Sequence, residues 1–132
     1  MVIIKHFTST TYIVNKERVL LHFHKKLNMW LALGGHLEKN ELPEETALRE
    51  VIEESGLTVS FYNQDKQIGT NDIKQLLRPM HIILEDIEEN HQHIDFIYYA
   101  KSKSDKLNPQ DGESTNLIWF TADQVNMWFF RI

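Results

Sequence analysis

The most informative segment of the sequence covers residues 34–57 and reads GGHLEKNELPEETALREVIEESGL. Its second half carries apolar residues at helical spacing, which predicts a helix over residues 42–55. Pro43 falls in the first turn and Gly56 follows the last, the positions at which each residue type is favoured. We expect a loop, a helix and a second loop. The apolar side expected to face a sheet consists of Ala47, Leu48, Val51 and Ile52.

Three glutamates lie on one face of this predicted helix. Glu50, Glu53 and Glu54 are spaced i, i+3 and i+4, which places them within an arc of roughly 100°. Like charges at this spacing repel one another, and the C-terminal half of a helix disfavours negative charge. A hard divalent cation such as Mg²⁺ would remove that repulsion. Taken alone, however, the run REVIEE is more typical of a solvated helical face than of a metal site.

The spacing of the whole segment resembles the Nudix box, G-x5-E-x7-R-E-U-x-E-E-x-G-U, where U is apolar. Every fixed position of that pattern is filled across 23 residues, which makes the resemblance specific. One flanking position departs from the family, because Leu33 stands where a proline often precedes the double glycine. The matching residues are Gly35, Glu41, Arg49, Glu50, Val51, Glu53, Glu54, Gly56 and Leu57.

The resemblance implies a fold and a reaction. The fold is a Nudix-like sandwich of mixed β-sheet with flanking helices (α/β, of the α+β type), in one domain over residues 1–132 with the box at 35–57. The reaction is Mg²⁺-dependent hydrolysis of a phosphoanhydride bond in a nucleoside diphosphate linked to another group, with Mn²⁺ as a substitute ion. The implied metal ligands are the Gly34 carbonyl and the three helix glutamates. Arg49 and Glu41 are implied to pair and to fix the loop against the helix.

Residues outside the box supply candidates for a further ligand or base. Asp95 sits in a strongly apolar predicted strand, where a carboxylate is costly unless it is paired or metal-bound. His36 follows the double glycine and could contact phosphate, although a packing role is more typical of such a histidine. Glu89 lies in an acidic turn, where a solvated role is more typical. On the same strand as Asp95, His91 and His93 share its face, whereas Ile94, Phe96 and Tyr98 share the other and are expected to enter the core.

The rest of the chain predicts a sheet against which the helix packs. Residues 79–87 and 93–101 are expected to form a hairpin around an acidic turn, and Thr121 to cap a short helix that starts at Ala122. Residues 64–78 and 102–113 are expected to be loops. The remaining predicted strands cover residues 6–15, 18–24, 30–33, 58–63 and 115–120.

Composition excludes several kinds of protein. The 132 residues contain no cysteine, which excludes disulfides, a thiolate zinc site and a cysteine nucleophile and is compatible with a cytoplasmic location. The formal net charge of −5 argues against duplex nucleic acid as a partner. No apolar run is long enough to span a membrane, and the N-terminus lacks the features of a signal peptide. The apolar residues 128–132 either dock on the core or mark a chain that stops short, and the protein is expected to be a monomer or a homodimer.

Two other functions compete with hydrolysis. An isomerase of isoprenyl diphosphates shares the implied fold, but it needs a cysteine that this chain lacks. A non-catalytic Nudix-like module that senses a nucleotide or binds a protein stays open, because a fold does not dictate its function. The box glutamates, which such modules commonly lose, favour catalysis. The substrate is a small nucleotide-like diphosphate whose identity the sequence leaves open.

Overall fold

A computed structural model describes the backbone of residues 2–129 and the side chains of residues 2–126. Within these residues the chain forms ten strands and two helices, and no helix there is both long and apolar enough to cross a bilayer. The strands are β1 (Ile4–Asn15), β2 (Arg18–His24), β3 (Met29–Leu31), β4 (Leu33–His36), β5 (Val59–Phe61), β6 (Gly69–Thr70), β7 (Ile73–Lys74), β8 (His81–Glu88), β9 (His91–Ser102) and β10 (Leu117–Thr121). The helices are α1 (Pro43–Ser55) and α2 (Ala122–Phe129).

Eight of the strands form one mixed sheet around the long strands β1 and β9. The central order is β10-β2-β1-β9-β5, while β3, β4 and β8 pair with β2, β1 and β9. Strands β1 and β9 are parallel, with Ile4 opposite His91 and Val14 opposite Lys101. All other pairs are antiparallel. The predicted mixed sheet with a helix laid on it is therefore confirmed.

Helix α1 begins and ends as its sequence predicts. Leu42 is the N-cap in an extended conformation, and its N–H donates to the Glu45 carboxylate at 2.8 Å. At the other end Gly56 adopts a left-handed φ of 73°, and its N–H donates to the Ile52 carbonyl. A residue with a side chain would be strained at that φ, so the glycine fixes the end of the helix.

The side of α1 that packs on the sheet differs from the predicted one. Ala47 and Val51 are buried, as expected, but Leu48 and Ile52 are 39% and 44% exposed. Two smaller, polar side chains of the helix, Thr46 and Ser55, are fully buried. The buried side of α1 is therefore not the side on which its apolar residues are concentrated. A core made of Ile13, Leu20, Leu33, Val51 and Leu57 lies between helix and sheet.

Several predicted boundaries change in the folded chain. Residues 30–33 were expected to form one strand that ends before the double glycine, but β3 stops at Leu31 and β4 includes Gly34 and Gly35. Pairing with β1 holds these glycines in a strand: a Cβ at Gly34 would lie 2.3 Å from the Ser9 carbonyl oxygen. The loop predicted over residues 64–78 contains the small hairpin of β6 and β7.

The β8–β9 hairpin is confirmed, but the predicted faces of β9 are only partly correct. Tyr98 is buried, whereas Phe96 is half-buried and stacks on the exposed Phe7. Ile97, on the same face as Asp95, is buried as well. Strand β9 therefore carries buried residues on both faces, and simple alternation of buried and exposed residues fails. Thr121 caps α2 as predicted, since its hydroxyl accepts from the Gln124 N–H. The prediction that the apolar residues 128–132 dock on the core or mark a chain that stops short concerns side chains outside the described residues.

Candidate active site

Close backbone contact brings the carboxylate helix against strand β4. A Cβ added to Gly35 would lie 2.3 Å from a carboxylate oxygen of Glu50, so only glycine leaves room for that side chain. The Gly34 N–H donates to Glu54 Oε1 at 2.9 Å. The Ser9 hydroxyl of β1 donates to the Pro43 carbonyl at 2.7 Å and fixes the start of the helix. Strand and helix therefore meet where the predicted ligands lie.

Two of the three helix glutamates, Glu50 and Glu54, lie close to strand β4, and only Glu50 has an ion-pair partner among the described residues. Burial, together with the negative charge of Glu50, raises the pKa of Glu54 to about 8. Burial also raises the pKa of Glu50, although the hydrogen bond from Arg49 opposes this shift. Glu53 lies on the outer side of the same group, with its side chain 30% exposed. The site thus concentrates carboxylates in a place that disfavours their negative charge.

Arg49 ties the loop to the helix. Its Nε and Nη2 donate to the two oxygens of Glu41 at 2.7 and 3.0 Å, a bidentate pair. Its Nη1 contacts Glu50 at 2.9 Å and Glu53 at 3.2 Å, and Nη2 donates to the His36 carbonyl at 3.1 Å. The hydrogen bond from Arg49 lowers the pKa of Glu41 to about 2. The guanidinium is thereby fixed in one orientation at the edge of the carboxylate group.

The donors at this site fit a hard divalent cation. Arg49 is the one cationic side chain within ion-pair distance of Glu50 or Glu53 among the described residues, and none there pairs with Glu54. In a strand, the N–H and C=O of one residue point to the same edge. Because the Gly34 N–H points to Glu54, its carbonyl oxygen points to that edge too. Oxygen donors with unbalanced negative charge are what Mg²⁺ or Mn²⁺ would bind.

Asp95 is brought near this site but has other partners. It is 4% exposed, lies on β9 opposite Thr8, and accepts hydrogen bonds from the Thr8 and Thr10 hydroxyls at 3.0 and 2.8 Å. The exposed Glu85 lies on the neighbouring strand β8, where partial desolvation and then the negative charge of Asp95 raise its pKa, and burial raises the pKa of Asp95. Thr10 is paired with Gly34 on the next strand. Sequence reasoning missed Glu85 and the two threonines, since no local signal links β1, β8 and β9.

The two remaining candidates, Glu89 and His36, lie in the β8–β9 turn and at the end of β4. Glu89 is exposed in the β8–β9 turn, beside the Asn90 carbonyl that accepts from the Ile4 N–H. Ile4 is six residues from Thr10 on β1, roughly 20 Å in an extended strand, so Glu89 is not brought to the carboxylate group. His36 is opposite Thr8 on β1. Burial, followed by the charges of His6 and His91, lowers its pKa.

His36 belongs to a cluster of four histidines that the sequence did not reveal. One ring nitrogen of each lies within 4.8 Å of the others. Two of them share a face of β9, as predicted, but the other two arrive from β1 and β4 through strand pairing. The cluster consists of His6, His36, His91 and His93.

Comparison with known proteins identifies relatives of this chain. The family model of the NUDIX domain matches residues 5–131. A Danio rerio protein named oxidized purine nucleoside triphosphate hydrolase is 30% identical, over 88% of this chain and 68% of its own length. Its Mus musculus namesake is 26% identical over 86% of this chain and 64% of its own length. A NUDIX-family hydrolase structure from Clostridium perfringens is 45% identical, with a TM-score of 0.83, over 92% of this chain and 85% of its own.

Proposed function

Because this chain belongs to the Nudix hydrolase family, as its box predicted, we propose that it is a divalent-metal-dependent hydrolase of nucleoside triphosphates. The observation that carries the proposal is the group of carboxylates packed against Gly34 and Gly35. Glu54 in that group has a pKa near 8 because it is buried beside Glu50 without a counter-charge. Such a group is costly unless it binds a cation.

The residues proposed to hold Mg²⁺ are Glu53, Glu54 and the Gly34 carbonyl, with Glu50 as a further ligand or as the base. When bound, the ion supplies charge neutralisation at the phosphates and a water of lowered pKa. The Gly34 N–H orients Glu54 through the 2.9 Å hydrogen bond. Glu50 is oriented by Arg49, whose Nη1 donates to it at 2.9 Å, and its carboxylate is the group proposed to accept a proton from water.

Arg49 and Glu41 are proposed to act as positioning residues. Glu41 holds two edges of the guanidinium, and the remaining nitrogen reaches Glu50 and Glu53. A lysine in place of Arg49 could not make this fork, because its ammonium is a point charge. We therefore expect Arg49→Lys to raise the activation free energy of turnover by more than it lowers the free energy of unfolding.

Purine nucleoside triphosphates are the first substrates that we propose. Two relatives carry the name oxidized purine nucleoside triphosphate hydrolase. Asp95 on β9 and Glu85 on β8 are two carboxyl groups with raised pKa values, and Asp95 accepts a hydrogen bond from Thr10, the residue of β1 opposite Gly34. A carboxyl group donates a hydrogen bond when it is protonated and accepts when it is ionised, so these two side chains offer the kinds of group that can recognise the edge of a base.

The test is hydrolysis of a substrate panel with the metal-free protein and added Mg²⁺ or Mn²⁺. The panel contains purine and pyrimidine triphosphates, their oxidised purine forms, ADP-ribose and a nucleotide sugar, and it is read as phosphate and pyrophosphate release. Glu54→Gln should lose at least about 100-fold in turnover, the scale expected for a group that acts at the reacting centre. Glu17→Gln, an exposed turn residue of the same type, is the matched control.

Different outcomes separate the proposal from its alternative. Turnover of triphosphates that needs the metal and disappears only in Glu54→Gln supports the proposal. Turnover of ADP-ribose or the nucleotide sugar alone keeps the hydrolase and rejects the substrate class. Tight nucleotide binding without turnover of any panel member favours a non-catalytic sensing module.

A further inference from the structure

The histidine cluster lies on the sheet face opposite the one that packs on α1. It consists of His6, His36, His91 and His93. His6 and His36 are exposed, while His91 and His93 are half-buried. We propose that the histidine cluster binds one divalent transition-metal ion of the zinc class, at a site separate from the carboxylates of α1.

The positions of the ring nitrogens fit such an ion. The four candidate ligand atoms lie within 4.8 Å of one another, and His6 Nδ1 and His91 Nε2 are 2.8 Å apart. In a tetrahedral zinc site with Zn–N bonds of about 2.0–2.1 Å, ligand nitrogens lie about 3.3–3.4 Å apart. Ring rotations that change these separations by about 1.4 Å or less would therefore complete a tetrahedron.

One nitrogen in the cluster has no hydrogen-bond partner among the described residues. His93 Nε2 is buried and makes no hydrogen bond to any described residue. A buried nitrogen without a partner is destabilising, by an amount comparable to a lost hydrogen bond. Burial, then the charges of the other three rings, lowers the pKa of His93. A metal ion bound at this buried nitrogen would give it the partner that it lacks among the described residues.

A carboxylate supports the cluster from outside. His91 Nδ1 lies 3.4 Å from Glu88 Oε1, while its Nε2 points toward His6. Metal-binding histidines commonly have their second nitrogen on a carboxylate, which fixes the ring and raises its basicity. His91 therefore presents the nitrogen that the proposal needs, and Glu88 holds it there.

The type of ligand distinguishes the histidine cluster from the carboxylate site of α1. Four imidazoles suit zinc, cobalt, nickel or copper, whereas magnesium prefers oxygen. His36 lies two residues beyond Gly34 on β4, about 7 Å along an extended strand. The ion would join β4 to β1 and β9 just beyond the double glycine. Neither turnover nor the proposed substrate enters this argument, so the two proposals fail independently.

The test uses the full chain stripped with a chelator and titrated with Co²⁺ and then Zn²⁺, in the presence of excess Mg²⁺. We expect one ion per chain, a strong visible Co²⁺ spectrum typical of tetrahedral coordination, and displacement of Co²⁺ by Zn²⁺. X-ray absorption should give a first shell of nitrogen. His91→Ala combined with His93→Ala should weaken binding by at least about 100-fold, more than outer-shell changes cost.

Matched variants make the result decisive. His22→Ala with His24→Ala removes two neighbouring histidines of β2, whose rings are 6.3 Å apart, and should leave Zn²⁺ binding unchanged. Glu53→Gln with Glu54→Gln should also retain it. If the β9 double variant fails to fold by circular dichroism, His6→Ala, at an exposed position, replaces it. Undiminished Zn²⁺ binding in the cluster variants, loss of binding in Glu53→Gln/Glu54→Gln, or no stoichiometric ion in the wild type would overturn the proposal.

Discussion

Replacing Glu41 with glutamine removes one side of the bidentate pair that holds Arg49. The Glu41 and Arg49 side chains are 14% and 23% exposed, so water screens the pair only in part. The hydrogen bond from Arg49 lowers the pKa of Glu41 from 4.5 to about 2. Since one pKa unit corresponds to about 1.4 kcal/mol, the shift sets a ceiling of about 3 kcal/mol. Partial screening reduces the expected loss in unfolding free energy to about 1.5–2 kcal/mol.

The sign of the pH dependence follows from the direction of this shift. The folded-state pKa of Glu41 lies below its unfolded value, so the stabilisation is complete above the unfolded pKa of 4.5. It is lost as the pH falls from 4.5 toward 2, because the folded protein must then take up the proton. The free-energy difference between wild type and Glu41→Gln should therefore be constant at neutral pH and shrink in acid.

Urea denaturation of both proteins at pH 7, and then at a series of acid pH values, measures this difference. The chain offers a matched control in Asp65→Asn, which breaks a similar carboxylate fork to Arg78. Arg78 is 64% exposed, so the control should lose much less stability. An equal loss in the two variants, or a Glu41→Gln difference that does not change with pH, would refute the argument from burial.

Three further predictions concern the site and its neighbourhood. In the protein freed of metal by a chelator, Glu54→Gln should flatten the dependence of stability on pH. The raised pKa of about 8 makes the wild type lose stability as the pH rises from 4.5 through 8. Thermal melts with and without Mg²⁺ measure this. Gly35→Ala should displace the flexible Glu50 carboxylate and lower the affinity for metal. The methyl group of Gly34→Ala meets the Ser9 backbone instead, so this variant should lose about 2 kcal/mol or more of unfolding free energy. Titration calorimetry measures the first effect and urea denaturation the second. Asp95→Ala should lower the free energy of unfolding by about 2–3 kcal/mol, because it leaves the Thr8 and Thr10 hydroxyls without their acceptor. Asp95→Asn should cost clearly less, since its amide oxygen can still accept. Equal losses in urea denaturation would contradict this.

Local signals in the sequence identified the helix, its ends and the family. Pro43, Gly56 and the glutamate spacing act within a few residues of one another, so they can be interpreted without knowledge of the rest of the chain. The predicted pair between Glu41 and Arg49 is formed in the fold. The β8–β9 hairpin and the Thr121 cap were predictable for the same reason, because their contacts are short in sequence.

Contacts between distant segments decided what the sequence could not. The outward turn of Leu48 and Ile52 follows from how closely α1 approaches β4, which depends on glycines and small buried residues rather than on apolar periodicity. Asp95 finds Thr8 and Thr10 only because β1 and β9 pair in parallel, 85 or more residues apart.

The histidine cluster depends on the same pairing, which brings three strands to one point on the sheet. The sequence by itself therefore determined the family and the carboxylate helix, because their signals are local. Tertiary structure alone decided what surrounds that helix and which histidines meet, because strand register joins residues that no sequence spacing relates.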